Sequence, residues 1–444
     1  MAQTAATQPV ADDFDSTPTR LFSLDALRGF DMFWIMGADE IIYTLRDSTK
    51  SPFWTSVANQ FEHPFWNGFH CYDLIFPLFL FMAGVSTPFS VGRELEKGKT
   101  HGQLLWRVIK RAIILVLLGL VANNGLQIPV VFPVIIIAVT IAIIDRQSRW
   151  ALKSTLSAII AAILVMVILG SFYFGYYSIF GSGTVLQVTD IRFPSVLGRI
   201  GLAYMFANII YLYAKELWQV AWFWFFIIGY YLLLKFTSAP GFHPGDLTPQ
   251  GNFASYVDRT ILPGHLYVPY PGTKVNMHDP EGLFSTIPAI STGLLGILTG
   301  TLLKRKTSTQ TEKTLIMAGV GVLALFLSYI WQFDFPYNKN LWSSSFVLLV
   351  GGISLLLMSL FYYVIDVLGY QKWAFFFKVI GMNSILIYIS GHFIKWAYTN
   401  NALFEWLGQW IGNPYNAVVL AITFVLVKWS FLRYLYEKKT FLRV

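Results

Sequence analysis

Twelve stretches of about twenty mostly apolar residues run along the chain, separated by shorter segments that are basic or rich in aromatic and polar residues. They fall at roughly 24–45, 72–91, 107–124, 128–144, 151–172, 195–214, 217–236, 283–303, 313–331, 342–364, 374–396 and 414–434. At 1.5 Å per residue each is about long enough for a hydrocarbon core of ~30 Å. One such run can be a buried helix. A dozen spread over the whole chain predict an all-α polytopic membrane protein.

The segments between the runs alternate in character. Arg93, Lys97, Lys99, Arg107, Lys110 and Arg111 cluster around one connection, Arg146, Arg149 and Lys153 around another, and Lys304, Arg305, Lys306 and Lys313 around a third. Lys428, Arg433, Lys438, Lys439 and Arg443 follow at the end. All fall on one face of the twelve-span reading, which the positive-inside rule makes cytoplasmic, with both termini there. The opposite connections, at 46–71, 173–194, 237–282 and 397–413, are longer and rich in Trp, Tyr, His, Asn, Pro and Gly. A connection as long as 237–282 is usually functional or disordered, and its aromatic content argues against disorder.

Composition sharpens this picture. Hydrophobic residues make up 55% of the chain and charged residues 13%, against roughly 25% charged in an average soluble domain. The net charge of +8 would suit a nucleic-acid binder, but the excess sits in short loops, where it sets membrane orientation. A lipid bilayer is therefore the expected partner, and nucleic acid is not. The single cysteine, Cys71, excludes an internal disulfide and a Cys-rich metal site. Residues 1–20 are polar and no cleavage site follows an apolar segment near them, so the first helix reads as an uncleaved anchor. No internal repeat is visible, which weakens the inverted-repeat signature of many transporters.

Candidate chemistry begins in the first span, "LDALRGFDMFWIMGADEIIYTL". A central intramembrane charge costs ~2.5–3.5 kcal/mol even on the lenient insertion scale. At 100° per residue Asp25, Arg28, Asp31 and Asp39 share one side of the helix. Arg28 paired with Asp25 or Asp31 is a structural reading. Asp39 and Glu40, near the opposite end, lack a basic residue one turn before them and are better site candidates. In residues 61–86, "FEHPFWNGFHCYDLIFPLFLFMAGVS", His63 or His70 is a candidate general base. Asp73 is placed to orient such a histidine, or simply to face a helix N-terminus. Further polar groups arrive from distant spans and outer connections: Arg192 and Arg199; His278, Asp279 and Glu281; Lys339 and Asn340; Asn383, Ser384, Tyr388 and His392. Convergence of this kind builds membrane sites, although each residue alone is equally an anchor or an interhelical hydrogen bond. No zinc-type spacing and no phosphate-binding loop motif occurs. The residues alone support a transporter or a membrane transferase with an outward-facing polar site.

The blocks "SLDALRGFDMFWIM", "HPFWNGFHCYDLIFPLFLFMAG", "RFPSVLGRIGLAY", "HDPEGLFSTIPAISTGLLGILTG", "PYNKNLWSSSFVLL" and "GMNSILIYISGH" resemble, in order, the heparan-alpha-glucosaminide N-acetyltransferase family, most closely its bacterial NagX-like members. The resemblance implies transfer of an acetyl group from cytoplasmic acetyl-CoA, as cosubstrate, to an amino sugar or glycan acceptor on the periplasmic side of a bacterial inner membrane. The family's catalytic histidine precedes Trp-Asn-Gly, which here is "HPFWNG". That carries the role to His63, beside Trp66 and Asn67. The family's functional Asn at the outer end of the first helix falls on Asp39, an acid in place of an amide. Asp39 and Asp73 are then expected to orient His63 or the acceptor. Trp66, Asn67, His278, Asp279, Glu281, Lys339, Asn340, Asn383, Ser384 and His392 are expected to bind the acceptor from outside. The CoA phosphates need cations, and Arg107, Lys110 and Arg111 are the candidates.

The resemblance also divides the chain. Residues 1–22 form a tail, 23–127 and 188–436 the core, and 437–444 a second tail. Residues 128–187, around "DRQSRWALK", form an inserted two-span hairpin flanked by Leu126-Gln127 and Leu186-Gln187. The alternative function is a transporter for N-acetylglucosamine or a related cell-wall sugar, which intramembrane polar groups and aromatic loops also suit. A homodimer is left open by the sequence.

Overall fold

The computed structural model describes residues 21–124, 191–267, 278–392 and 394–442. The hairpin expected at 128–187 lies outside them. Every regular element among the described residues is helical. Seven helices there are long and apolar enough to cross a membrane: Cys71–Glu96, Val196–Tyr213, Glu216–Phe236, Thr286–Lys304, Gln310–Trp331, Ser344–Val367 and Asn416–Glu437. Large apolar side chains point outward from several of them, with Leu217 78% and Phe326 59% exposed. Such a surface is suited to hydrocarbon and costly in water.

In chain order, α1 (Phe22–Phe33) passes through a wide π turn (Trp34–Ala38) into α2 (Asp39–Thr49), and α3 (Pro52–Asn59) follows. A 3-10 turn (Cys71–Leu74) opens α4 (Ile75–Val85), which ends through a second π turn and α5 (Arg93–Glu96). Then come α6 (His101–Asn124), α7 (Val196–Tyr213), α8 (Glu216–Phe236), α9 (Phe253–Ile261) and α10 (Thr286–Lys304). The series closes with α11 (Gln310–Trp331), α12 (Ser344–Phe361), α13 (Ala374–Met382), α14 (Ser384–Ser390), α15 (Trp396–Ile411) and α16 (Asn416–Glu437). Short polar connectors supply the caps. Ser195 accepts from the Gly198 amide, Ser343 from Phe346, and Thr309 forms a capping box with Glu312, each satisfying amides a helix start leaves unpaired.

Packing places α4 and α10 at the centre, with α1 against α13, α6 against α7, and α11 against α12. α4 and α10 meet almost backbone to backbone. A side-chain carbon added at Gly296 would overlap the Phe81 carbonyl, and one at Gly300 the Val85 carbonyl. This Gly-x-x-x-Gly pair makes the close approach that holds helices together where water provides no drive.

The alternation of helix directions produces two faces. On one, Lys304 pairs with Glu96 at 2.8 Å, Arg305 pairs with Glu216, and the Ser23 amide donates to Asp366 at 3.2 Å. This is the basic face. On the other, the connections after α3, before α7, after α8 and after α11 meet. Two expectations change here. The stretch 374–396 is not one helix but breaks at Asn383, whose φ of −129° ends α13. The connection 397–413 is largely helical, as α15, packed against α16.

Candidate active site

The chain after α3 runs without regular structure from Phe61 to His70. Its reversal is built by Gly68, at φ +130°, a conformation that glycine adopts readily. The Gly68 amide donates to the Tyr337 carbonyl at 2.8 Å, which ties this loop to the connection after α11. A second tie lies beside it: buried Asn338 donates its amide to Asn67 Oδ1 at 3.0 Å and accepts from the Leu341 amide at 2.8 Å.

These ties bring three ionisable groups together. Asp73 is fully buried in the 3-10 turn. Its Oδ2 accepts from the His70 amide at 3.0 Å, and its Oδ1 lies 2.6 Å from His63 Nδ1. A carboxylate only accepts, so Nδ1 carries the proton and Nε2 presents a lone pair. The His63 side chain is half-exposed, so that lone pair is reachable from the loop side. Lys339 Nζ stands 3.3 Å from Asp73 Oδ1 and 3.3 and 3.2 Å from the two ring nitrogens. Near-equal distances to both nitrogens put the ammonium over the ring face rather than along the Nε2 lone pair. Burial pulls the Lys339 ammonium below its ordinary range, with Asp73 and Glu281 working against that pull. His70 is not part of this cluster, since its ring nitrogen Nδ1 is 2.7 Å from the Glu62 carbonyl.

Asp39 reaches the cluster through Tyr72. The Tyr72 hydroxyl donates to Asp39 Oδ2 at 3.0 Å, and its ring lies 5.4 Å from the His63 ring, centroid to centroid. Asp39 therefore holds a neighbour of His63 rather than His63 itself. Nothing in the sequence marks Tyr72, because a tyrosine at the start of an apolar run reads as an interface anchor.

The long connection forms the wall of the site. Arg192 makes a two-pronged pair with Asp279, at 2.9 and 2.7 Å, and a further ion pair with Glu281. Burial opposes its charge, but these partners hold its guanidinium above the usual range. Asp279 also accepts from the Tyr267 and Glu281 amides. Its carboxylate is thus shared between Arg192 and two loop amides. Trp66 donates to the Leu247 carbonyl at 2.8 Å and meets His278 edge to face at 4.7 Å. Burial pushes the His278 imidazole below its ordinary value. Arg199 is 2% exposed and lies 5.0 Å from the Trp342 ring. Its Nη2 bonds the Gly282 carbonyl and Ser285, while its Nε and Nη1 meet no acceptor among the described residues.

Other expected residues lie elsewhere. Asn340 shares the turn of Lys339. Asn383 does not line the outer pocket. α13 starts at the basic face and ends after Met382, so Asn383 lies only about 13 Å above that face. There its side chain donates to the Thr440 carbonyl and accepts from the Leu442 amide, each at 3.0 Å. Ser384 is buried at the start of α14, and His392 is exposed beyond its end; neither joins His63. Arg107, Lys110 and Arg111 stand on the basic-face half of α6, with Arg107 exposed and Arg111 stacked 4.6 Å from the Tyr204 ring. In the first span Arg28 pairs with Asp25 at 3.1 Å, not with Asp31. Inside the bundle an apolar pocket lies beside the turn that carries Asp73, lined among others by Met32, Ile35, Ile75, Phe76, Ile200 and Tyr388. No three potential ligands gather as a metal site among the described residues.

The chain is similar over 447 aligned residues to the human protein named heparan-alpha-glucosaminide N-acetyltransferase, at 25% identity, covering 90% of this chain and 56% of the human one. Against the mouse protein of the same name the identity is 24% over 483 residues, covering 98% of this chain and 63% of the relative. This chain thus spans about three-fifths of the length of those relatives. No family model matches it. The similarity to these two proteins extends over nearly the whole chain.

Proposed function

We propose that this protein is a membrane N-acetyltransferase. It takes the acetyl group of acetyl-CoA delivered from the basic face and passes it to the amine of an amino sugar at the His63 face. The observation that carries this reading is the His63–Asp73 pair at 2.6 Å, made through Nδ1 on a half-exposed imidazole, in a chain similar to proteins named for that reaction. By the positive-inside rule the basic face is cytoplasmic, which puts both ends of the membrane core in the cytoplasm and the acceptor on the far side. A bacterial cytoplasmic membrane and a NagX-like role in amino-sugar metabolism fit this arrangement.

The chemistry follows from the geometry. His63 Nε2 removes a proton from the acceptor ammonium, and the freed amine attacks the acetyl carbonyl carbon. The new C–N bond forms and the C–S bond breaks; the imidazolium returns its proton to the departing thiolate, and the second proton lost from the amine nitrogen passes to solvent water. A variant of the same step has Nε2 itself attack the carbonyl and carry the acetyl group to the amine. In both, Asp73 stabilises the positive imidazole, and the Lys339 ammonium, 3.2 Å from His63 Nε2, is the cation that would stabilise charge developing on the carbonyl oxygen. General-base action of this kind contributes typically ~10²–10⁴-fold. Arg107, Lys110 and Arg111 suit the phosphates. The test is mass detection of N-acetylglucosamine made by purified protein from acetyl-CoA and glucosamine. Product from wild type and none from His63→Ala supports the reading. Equal product from both would overturn it.

A further inference from the structure

The first membrane helix is interrupted close to the site. Between α1 and α2, Gly37 takes φ +120°, which strains any residue with a side chain. Gly37 lies fifteen residues beyond Phe22, or about 22 Å along the helix, so the break falls within the span. Broken helix in that setting is tolerated only where neighbouring groups satisfy the freed backbone.

One residue does this. Lys428 of α16 is buried, and its Nζ lies 2.7 Å from the Met36 carbonyl, the group just before the break. Its ammonium sits 4.1 Å from the Phe424 ring. That ring covers Gly37 at 2.7 Å from where a side-chain carbon would stand. No carboxylate lies within ion-pairing distance of Lys428 among the described residues, and the charge within its electrostatic reach is Asp39. Asp39 opens α2 immediately after the break and holds Tyr72 beside His63.

We infer that Lys428 is a positioning residue for the reaction: by taking the Met36 carbonyl at the Gly37 break, it sets the direction of the first turn of α2 and so the hold of Asp39 on Tyr72 against His63. A lysine that merely satisfied a carbonyl would need no acid nearby and no tyrosine at the end of the chain of contacts. The inference rests on the acetyl-transfer reading, and its test is arranged to fail separately from it.

Steady-state acetyl transfer is measured on the full chain for wild type, Lys428→Met, Lys428→Arg, Asp39→Ala and the Lys428→Met/Asp39→Ala pair. Asp39→Ala removes the oxygen that accepts from Tyr72. Lys428→Met is expected to lower kcat by about tenfold with the KM for acetyl-CoA unchanged, the pattern of an interaction felt in the transition state. Lys428→Arg, which keeps a donor, is expected to recover most of it. In the Asp39→Ala background Lys428→Met is expected to cost less than about twofold, because the two residues act as one unit. An equal loss in both backgrounds, or no loss in either, overturns the inference.

A second readout needs no turnover. Cys71, the single cysteine of the chain, is exposed and adjacent to Tyr72. Its rate of maleimide labelling is expected to change in Lys428→Met and in Gly37→Ala, and to return in Lys428→Arg. An unchanged rate in both overturns the positioning role. If wild type transfers no acetyl group, the functional reading fails while the labelling result still decides this one.

Discussion

At the residue scale the cluster works through division of labour. Asp73 is buried, accepts from the His70 amide and from His63 Nδ1, and pairs with Lys339, so its charge is used to fix one ring nitrogen of His63 and leave the other without a carboxylate partner. Asp73→Asn replaces an acceptor with a group that can turn its NH2 toward Nδ1 and favour the wrong tautomer. Acetyl transfer is expected to fall about a hundredfold or more, with folding intact by circular dichroism and thermal melting. A change under threefold would remove Asp73 from the mechanism. Asp258 offers a test of the surrounding loop that needs no substrate. It is 2% exposed, its Oδ1 accepts from the Phe284 amide at 2.9 Å, and burial pushes its carboxyl from 3.8 up to about 6. A carboxyl raised by folding binds a proton more tightly in the native state. Its contribution to stability is therefore complete below about pH 4 and is lost as pH rises through about 6. Thermal midpoints of wild type should fall across that window relative to Asp258→Asn, and parallel curves would contradict the assignment. Much of this site is written in residue types: His63, Asp73 and Lys339 all stand out as polar groups at the ends of apolar runs. Their meeting does not. His63 and Asp73 are ten residues apart with no helical period between them, and Lys339 arrives from 276 residues away. Asn338, which anchors that arrival, is one more polar residue in a turn until its bond to Asn67 is seen.

At the element scale the site depends on helices that meet closely or break. α4 carries Asp73 at its entry, and its place is set by contact with α10 through Gly84, Gly296 and Gly300. Gly296→Leu should force these helices apart, at a cost of at least 1–3 kcal/mol from overpacking. The expected signs are a lowered melting temperature in detergent and loss of acetyl transfer, whereas Gly319→Leu, whose added carbon meets nothing within 4 Å, should leave both unchanged. A Gly296→Leu protein as stable and active as wild type would show that the close approach is dispensable. Long apolar runs made most helices readable from hydropathy alone, because twenty apolar residues have few other fates in a chain this rich in them. The breaks were not readable. Gly37 looks like an ordinary glycine in a membrane helix, where glycine is common. Asn383 looks like one more intramembrane polar group, until the tail residues Thr440 and Leu442 take both ends of its amide.

At the scale of the whole molecule, the account is a division between two faces. The basic face gathers Arg107, Lys110 and Arg111 with the short connections, and the opposite face gathers His63, Asp73 and Lys339 with the long ones. Replacing Arg107 and Lys110 together by Gln should raise the KM for acetyl-CoA about tenfold or more with kcat nearly unchanged, the pattern of lost ground-state binding. A fall in kcat alone would place those cations outside the donor site. That the basic residues share one face was legible from charge counting along alternating spans; which groups of the opposite face form the site was not, since aromatic and polar residues populate every long connection. The most direct measurement of the central claim uses sealed proteoliposomes with one uniform protein orientation, acetyl-CoA on the basic-face side only and glucosamine on the other. The account predicts N-acetylglucosamine on the glucosamine side, dependent on His63 and absent without acetyl-CoA. Sugar crossing the membrane without acetyl-CoA, unchanged by His63→Ala and with no acetylated product on either side, would contradict it.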